Sequence, residues 1–129
     1  MDAILTSIYA LYDASAALKS ALVGGLRLEL APQDVSYPYA VYSGSSVPDY
    51  YFQGSIENPT IDFSIYALTN ATRTDCFKKL TAVFDNAVPS ATGYTGLILQ
   101  REFVNFLRDG DQYQIFRADI TYRGRYQKT

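Results

Sequence analysis

From Thr60 to Ala67 the chain alternates without interruption: Ile61, Phe63, Ile65 and Ala67 point one way, and Asp62, Ser64 and Tyr66 the other. A period of two is that of a half-buried β-strand, and its apolar side demands a covering layer. A run from Tyr39 to Gly44 precedes it, introduced by Pro38, which suits the first position of a strand because its missing N–H does least damage there. Between the two, Ser45 to Ser55 is polar and tyrosine-bearing and reads as a long loop or loose hairpin. The alternating strand is expected over Ile56–Leu68, with Asn58-Pro59 marking an edge or a bulge. No catalytic side chain stands within this stretch at a defensible spacing, so it points to a protein that works through its shape and its edges.

The flanking segments supply the covering layer. Asp2 can cap a helix with Ile4, Leu5, Ile8, Leu11 and Tyr12 on one face, and Asp13 or Ser15 can cap a continuation carrying Leu18, Ala21 and Leu22. One bent helix or two short ones over 3–22 are expected, closed by Gly24-Gly25. Leu26–Leu30 alternates as a short strand, and Ala31 to Ser36 is a turn with Pro32 and Asp34. After the alternating strand, Asn70 or Thr72 caps the strongest helix, whose stripe is Cys76, Phe77, Leu80, Val83, Phe84 and Ala87. Val88 to Gly96 closes it. Leu97–Arg108 and Gln112–Tyr126 are long strands joined by the turn signal Asp109-Gly110-Asp111. In the last strand Phe116, Ala118, Ile120 and Tyr122 share a side opposite Arg117, Asp119 and Arg123. Helices and strands are segregated, so the fold class is α+β. It consists of a mostly antiparallel sheet of about five strands, with an N-terminal helix and one central helix packed on one face.

A chain of 129 residues reads as one domain over 1–129. It can hide roughly two-thirds of its unfolded surface, enough for a core without staples. The single cysteine, Cys76, cannot form an internal disulfide and suits a reducing compartment. No apolar run approaches the roughly 18–20 residues that span a bilayer. The N-terminus lacks the basic region of a secretory signal. Charge is divided unevenly: residues 1–96 hold five Lys/Arg against nine Asp/Glu, whereas residues 97–129 hold six against four. A basic end on an acidic body suits docking between charged neighbours, although an ordinary scatter of surface charge is the better account of it.

The chemistry that the chain excludes is more telling. Twelve Tyr and seven Phe accompany no Trp and no His. Without histidine the commonest general base, zinc ligand and pH switch are all gone. Gly24-Gly25 lacks the Gly-Lys-Ser/Thr of a phosphate cradle, no base stands ready for a serine nucleophile, and no paired carboxylates share a face. Asp109, Asp111, Asp34 and Asp49 are the carboxylates a metal would need, but a solvated turn explains the first two better. Cys76 lies on a helix stripe and reads as a small buried hydrophobe. No catalytic, cofactor or metal site is expected. The C-terminal arginines interleave with aromatics, as in some single-strand binders, yet four acids share that segment.

In order, the chain presents an amphipathic helix ending at Leu22-Val-Gly-Gly25 and a strand, then Ala31-Pro-Gln-Asp34. Tyr37-Pro-Tyr-Ala-Val-Tyr42 follows, then Ile61-Asp-Phe-Ser-Ile-Tyr-Ala67 leading into a helix, and last a strand reading Phe116-Arg-Ala-Asp-Ile-Thr-Tyr122. This succession resembles the tail completion, or tail terminator, proteins of long-tailed bacteriophages and related gene-transfer particles. The likeness covers nearly the whole chain, and its order rather than any one motif carries it. The resemblance implies a virion subunit, assembled in the host cytoplasm, that forms a homo-oligomeric ring, expected to be a hexamer, at the head-proximal end of the tail. Such a ring caps the major tail tube protein and meets the head–tail connector or stopper, while DNA passes through its lumen without sequence-specific binding. The family brings no catalytic motif.

A ring needs a heterologous interface, and edge strands together with the 45–55 loop could supply it. Tyr50, Tyr51 and Phe52 are the first candidates for partner contacts, because an aromatic run between Pro48 and Gly54 is hard to place in a core; folding back over their own sheet is the alternative. Arg101, Arg108, Arg123 and Arg125 are the further interface candidates. Competing readings are another head–tail joining protein (a stopper or adaptor) and a small-ligand module enclosing an aromatic pocket; an enzyme is the reading with least support.

Overall fold

The computed structural model describes residues 2–31, 33–48, 56–109 and 115–128. Two short helices come first, α1 (Asp2–Asp13) and α2 (Ala16–Ala21), followed by β1 (Leu26–Leu28), β2 (Tyr39–Pro48) and β3 (Ile56–Ala67). Helix α3 (Asn70–Phe84) leads to the long antiparallel pair β4 (Tyr94–Asp109) and β5 (Ile115–Lys128). The five strands form one sheet in the order β1-β2-β3-β5-β4. All neighbours are antiparallel except β1 and β2, which run parallel. The architecture is the α+β class expected, with β1 and β4 as the two edges.

Local chemistry sets the boundaries. The Ser15 side chain accepts a hydrogen bond from the Leu18 N–H and starts α2, which is what separates it from α1. Gly24 is required by close approach rather than by its dihedral angles. A Cβ there would collide with the Ser36 carbonyl oxygen and come within 2.8 Å of Tyr39 Cβ. Its N–H donates to the Pro38 carbonyl at 2.9 Å, so the end of the helical layer is laced to the start of β2. Gly25 takes the positive φ of +85° that closes such a turn cheaply.

Several expected boundaries move. Strand β1 stops at Leu28 rather than Leu30, because Glu29 adopts a positive φ of 63° and throws Leu30 into solvent, where it is 82% exposed. The cap of α3 is Thr69, not Asn70 or Thr72; its hydroxyl accepts from the Thr72 N–H at 3.1 Å. Strand β2 does not end at Gly44. Ser45 to Pro48, expected as loop, continue the ladder opposite Thr60 to Glu57. Strand β4 begins at Tyr94 rather than Leu97. Asn58-Pro59 marks neither an edge nor a bulge, since β3 is the central strand. The pairing with β5 skips these two residues and resumes in the same register. Proline has no N–H to offer, so the ladder is interrupted there without being shifted.

The core lies between one sheet face and the helices. Two rungs cross the whole sheet beneath them: Leu28–Tyr42–Phe63–Ile120–Val104, and Leu26–Ala40–Ile65–Ala118–Phe106. Ile4, Ile8 and Tyr12 of α1, Leu18 of α2 and Cys76, Leu80 and Phe84 of α3 close over them, all buried. Phe63 sits at the centre, with its ring 4.7 Å from Phe84 and edge-on to Tyr122 at 5.8 Å. Removing a buried phenyl ring costs about 3–5 kcal/mol, so this cluster is the anchor of the layer packing. No helix of the described residues is long and apolar enough to cross a membrane.

Candidate functional site

Burial and side-chain contacts single out three surfaces: the face of the sheet away from the helices, and the two edge regions. The helix-free face carries a polar and aromatic strip built by the register of β2, β3 and β5. Tyr39 and Tyr66 are cross-strand partners and stack with ring centroids 5.0 Å apart at 18°. Tyr37 tilts against Tyr39 at 5.2 Å, and the Arg117 guanidinium lies over Tyr66 at 5.5 Å. Beside them Ser64 Oγ donates to Asp119 Oδ1 at 2.8 Å, Arg117 Nε donates to the same oxygen at 2.8 Å, and Thr121 Oγ1 donates to Asp62 at 2.7 Å. The acids of this face are therefore occupied by their own neighbours, which makes the strip a rigid surface rather than a reactive one.

The β4 edge is long and keeps exposed apolar side chains. A bulge between Arg101 and Phe103 decides which side each residue faces. Arg101, Val104, Phe106 and Arg108 turn toward the helices; Phe103, 59% exposed, turns the other way. Phe106 is 48% exposed and meets Phe77 of α3 edge-on at 5.0 Å. Arg73 of α3 ties this region together. Its guanidinium donates to the carbonyls of Leu107 at 3.1 Å and Arg117 at 3.3 Å and to Asn70 Oδ1 at 2.7 Å, and it lies over both Phe106 and Phe116. At the opposite edge, Leu5, Thr6, Tyr9, Leu28 and Tyr42 line a surface hollow of about 370 Å³ between α1 and β1.

The described interface candidates Arg101, Arg108 and Arg123 do not share one face. Tyr50, Tyr51 and Phe52 lie outside the described residues. Arg101 pairs with Asp85 at 3.5 Å and lies over Phe77, and Arg108 lies over Phe116; both are on the helix side of the β4 edge. Arg123 is on the other face, paired with Glu102 at 3.1 Å. Arg125 is in β5 opposite Ile98, and its side chain is outside the described residues. Arg73, Phe106 and the Tyr39–Tyr66 stack were not among the expected interface residues. The tyrosine count says nothing of which rings pair, and only the β2–β3 register brings these two together.

Chemically reactive groups are tied down. Burial pushes the Cys76 thiol up to about 11, the reverse of what a nucleophilic thiolate needs, and its Sγ–H points to the Ala21 carbonyl at 3.6 Å. Burial, then the hydrogen bond to Asp85, pushes the Tyr122 hydroxyl strongly upward. Tyr42 is also raised, again chiefly by burial. Among the described residues no cluster of three or more His, Cys, Asp or Glu could hold a metal ion. The three hollows formed by the described residues open on the surface.

An α+β sheet with helices on one face thus ends in one short edge and one long edge, each with exposed apolar side chains. The same fold occurs in a chain of the virion of a native gene transfer agent particle. That match has a TM-score of 0.71 at 16% identity and covers 93% of this chain and 91% of that one. It occurs again in the gp17 protein of bacteriophage SPP1, with a TM-score of 0.64 at 17% identity, covering 99% of this chain and 90% of that one. No family model and no curated protein matches the sequence. At these identities the likeness is one of fold, and it extends over nearly the full length of each partner.

Proposed function

We propose that this protein is a structural subunit of a phage-like particle. It forms a ring at the head-proximal end of the tail, capping the tail tube and joining it to the head connector. The observation that carries this reading is the fold shared, nearly end to end, with a virion chain of a gene transfer agent particle. The order of motifs along the sequence, which resembles the tail completion family, supports it independently. So do the exposed apolar side chains Leu28, Ile98, Phe103 and Phe106, which stand on the two edge strands where subunits could meet. No catalytic role is part of the proposal. The neighbouring roles of stopper and adaptor differ in position within the same joint, not in kind.

Sedimentation and negative-stain imaging of the purified protein, alone and with tail tubes, test the proposal. Closed rings, and their addition to one end of the tubes, are the expected result. A protein that stays monomeric at every concentration and ignores the tubes overturns it.

A further inference from the structure

We propose that the C-terminal half of the β4 edge takes up an extended, acidic segment of a partner protein as a further strand of the sheet. A carboxylate of that segment lies opposite Arg108 and an apolar side chain opposite Phe106. The assignment names the partner's chemistry and holds whether or not the chain closes into a ring.

The backbone decides which part of the edge is open. Leu99, paired with Gly124, sends its N–H outward to the Ala87 carbonyl at 2.9 Å, so at that level the chain covers its own edge. Backbone groups of a strand alternate between its two neighbours, and β5 keeps one register along β3. The outward pair Leu99–Gly124 therefore recurs at Val104–Ile120, Phe106–Ala118 and Arg108–Phe116. Val104, Phe106 and Arg108 turn their N–H and C=O groups to the edge, where no strand of the described residues pairs with them. Such an unmet row of donors and acceptors fits a chain in extended conformation.

The side chains at this stretch select what that chain carries. Arg73 and Arg108 both lie over the Phe116 ring, at 5.3 and 5.0 Å, and neither guanidinium has a carboxylate partner among the described residues. Arg73 spends its donors on Asn70 and two strand carbonyls, and its Nε is buried with no partner. Stacking occupies the face of the Arg108 guanidinium and leaves its fork of N–H groups for a carboxylate. Glu102 of the same strand is held by Arg123 on the helix-free face. Phe106, two residues before Arg108 on the same side and 48% exposed, supplies the apolar half of the contact. Arginine beside an exposed aromatic ring is the composition of a protein interface. A second copy is a poor occupant: the same edge would bring arginine to arginine, and β1, the other edge, has three residues with Arg27 at its centre. A net charge of −2 speaks against a nucleic-acid strand.

The test uses the full chain and a fluorescein-labelled peptide in which valine and glutamate stand two residues apart among threonines, read by fluorescence anisotropy. The wild type should bind it. Binding should weaken by about tenfold or more when lysine replaces the glutamate of the peptide, or in Arg108→Glu, and combining the two changes should restore it. Arg108 is exposed, and thermal melts verify that the variant folds. N-methylation of the peptide should abolish binding at the positions that face β4 and spare it at the alternate ones. Binding that ignores N-methylation or survives Arg108→Glu unchanged overturns the proposal, as does no binding at the highest soluble concentration. Displacement of the peptide by oligothymidine at equal or lower concentration overturns it in favour of a nucleic-acid strand. Self-association that Arg108→Glu abolishes, with no peptide bound, assigns the edge to a second copy instead.

Discussion

The Tyr122 hydroxyl donates a 2.7 Å hydrogen bond to Asp85 Oδ1, joining a fully buried ring in β5 to the residue that caps the C-terminus of α3. Asp85 also meets Arg101 of β4, so one carboxylate links helix, inner strand and edge strand. Tyr122→Phe keeps the ring and deletes only the donor. It should cost about 1–2 kcal/mol in urea unfolding, and Asp85→Ala should cost more because it strands the buried hydroxyl. Equal stability of Tyr122→Phe and wild type would mean that the bond holds nothing.

Alkaline stability follows from the same interior. The folded-state pKa of Cys76 is about 11, raised from an ordinary 9.0 by burial. Between these values the unfolded chain sheds a proton that the folded chain keeps, so its contribution is complete below pH 9 and is lost as pH rises toward 11. Tyr122 acts in the same direction from pH 10 upward. Each pH unit inside the window removes up to about 1.4 kcal/mol per group. Stability measured from pH 8 to 10 should fall in the wild type and stay nearly flat between 9 and 10 in Cys76→Ala.

Arg73 is predicted to be the most sensitive surface-proximal side chain. It satisfies two strand carbonyls and Asn70 while lying over two phenyl rings. Arg73→Ala should destabilise by about 2–4 kcal/mol, since hydrogen bonds from a charged donor are worth roughly 1.5–3 kcal/mol. Arg73→Lys should recover less than half, because an ammonium has neither the fork nor the flat face. Thermal melts of the two variants, compared with each other, check the ordering.

Gly24→Ala should be disruptive out of proportion to its size. The added methyl group has backbone on its far side, the Ser36 carbonyl, and backbone cannot rotate away as a flexible side chain can. A loss of about 1–3 kcal/mol or more is expected by denaturant titration. Gly93→Ala is the contrasting case: Gly93 has a positive φ of +85° but nothing within 4 Å, so only dihedral strain is charged to it.

Much of this was legible in the sequence, and the failures have identifiable causes. The stripe of α3 and the alternation of β3 could be read directly because one buried face repeats at a fixed period. Thr69 was missed as the cap because Thr69, Asn70 and Thr72 can all accept a backbone N–H, and only the geometry of entry chooses. The extension of β2 was hidden because Ser45 and Ser46 owe their strand conformation to partners in β3, not to their own preference. The arginines could not be sorted for a similar reason. Counting by twos from Arg101 puts Phe103 on the same face, and the bulge between them reverses that.

The order β1-β2-β3-β5-β4 has one more consequence. Strands from before α3 and strands from after it exchange sheet pairing along a single line, between β3 and β5, with Thr121–Asp62 and Ser64–Asp119 stitched across it. Each side of that line closes its sheet pairing from segments near in sequence, and the line itself joins residues more than fifty positions apart. The molecule is therefore divisible: two fragments cut between α3 and β4 would each carry half a sheet with one raw edge, cut to fit the other.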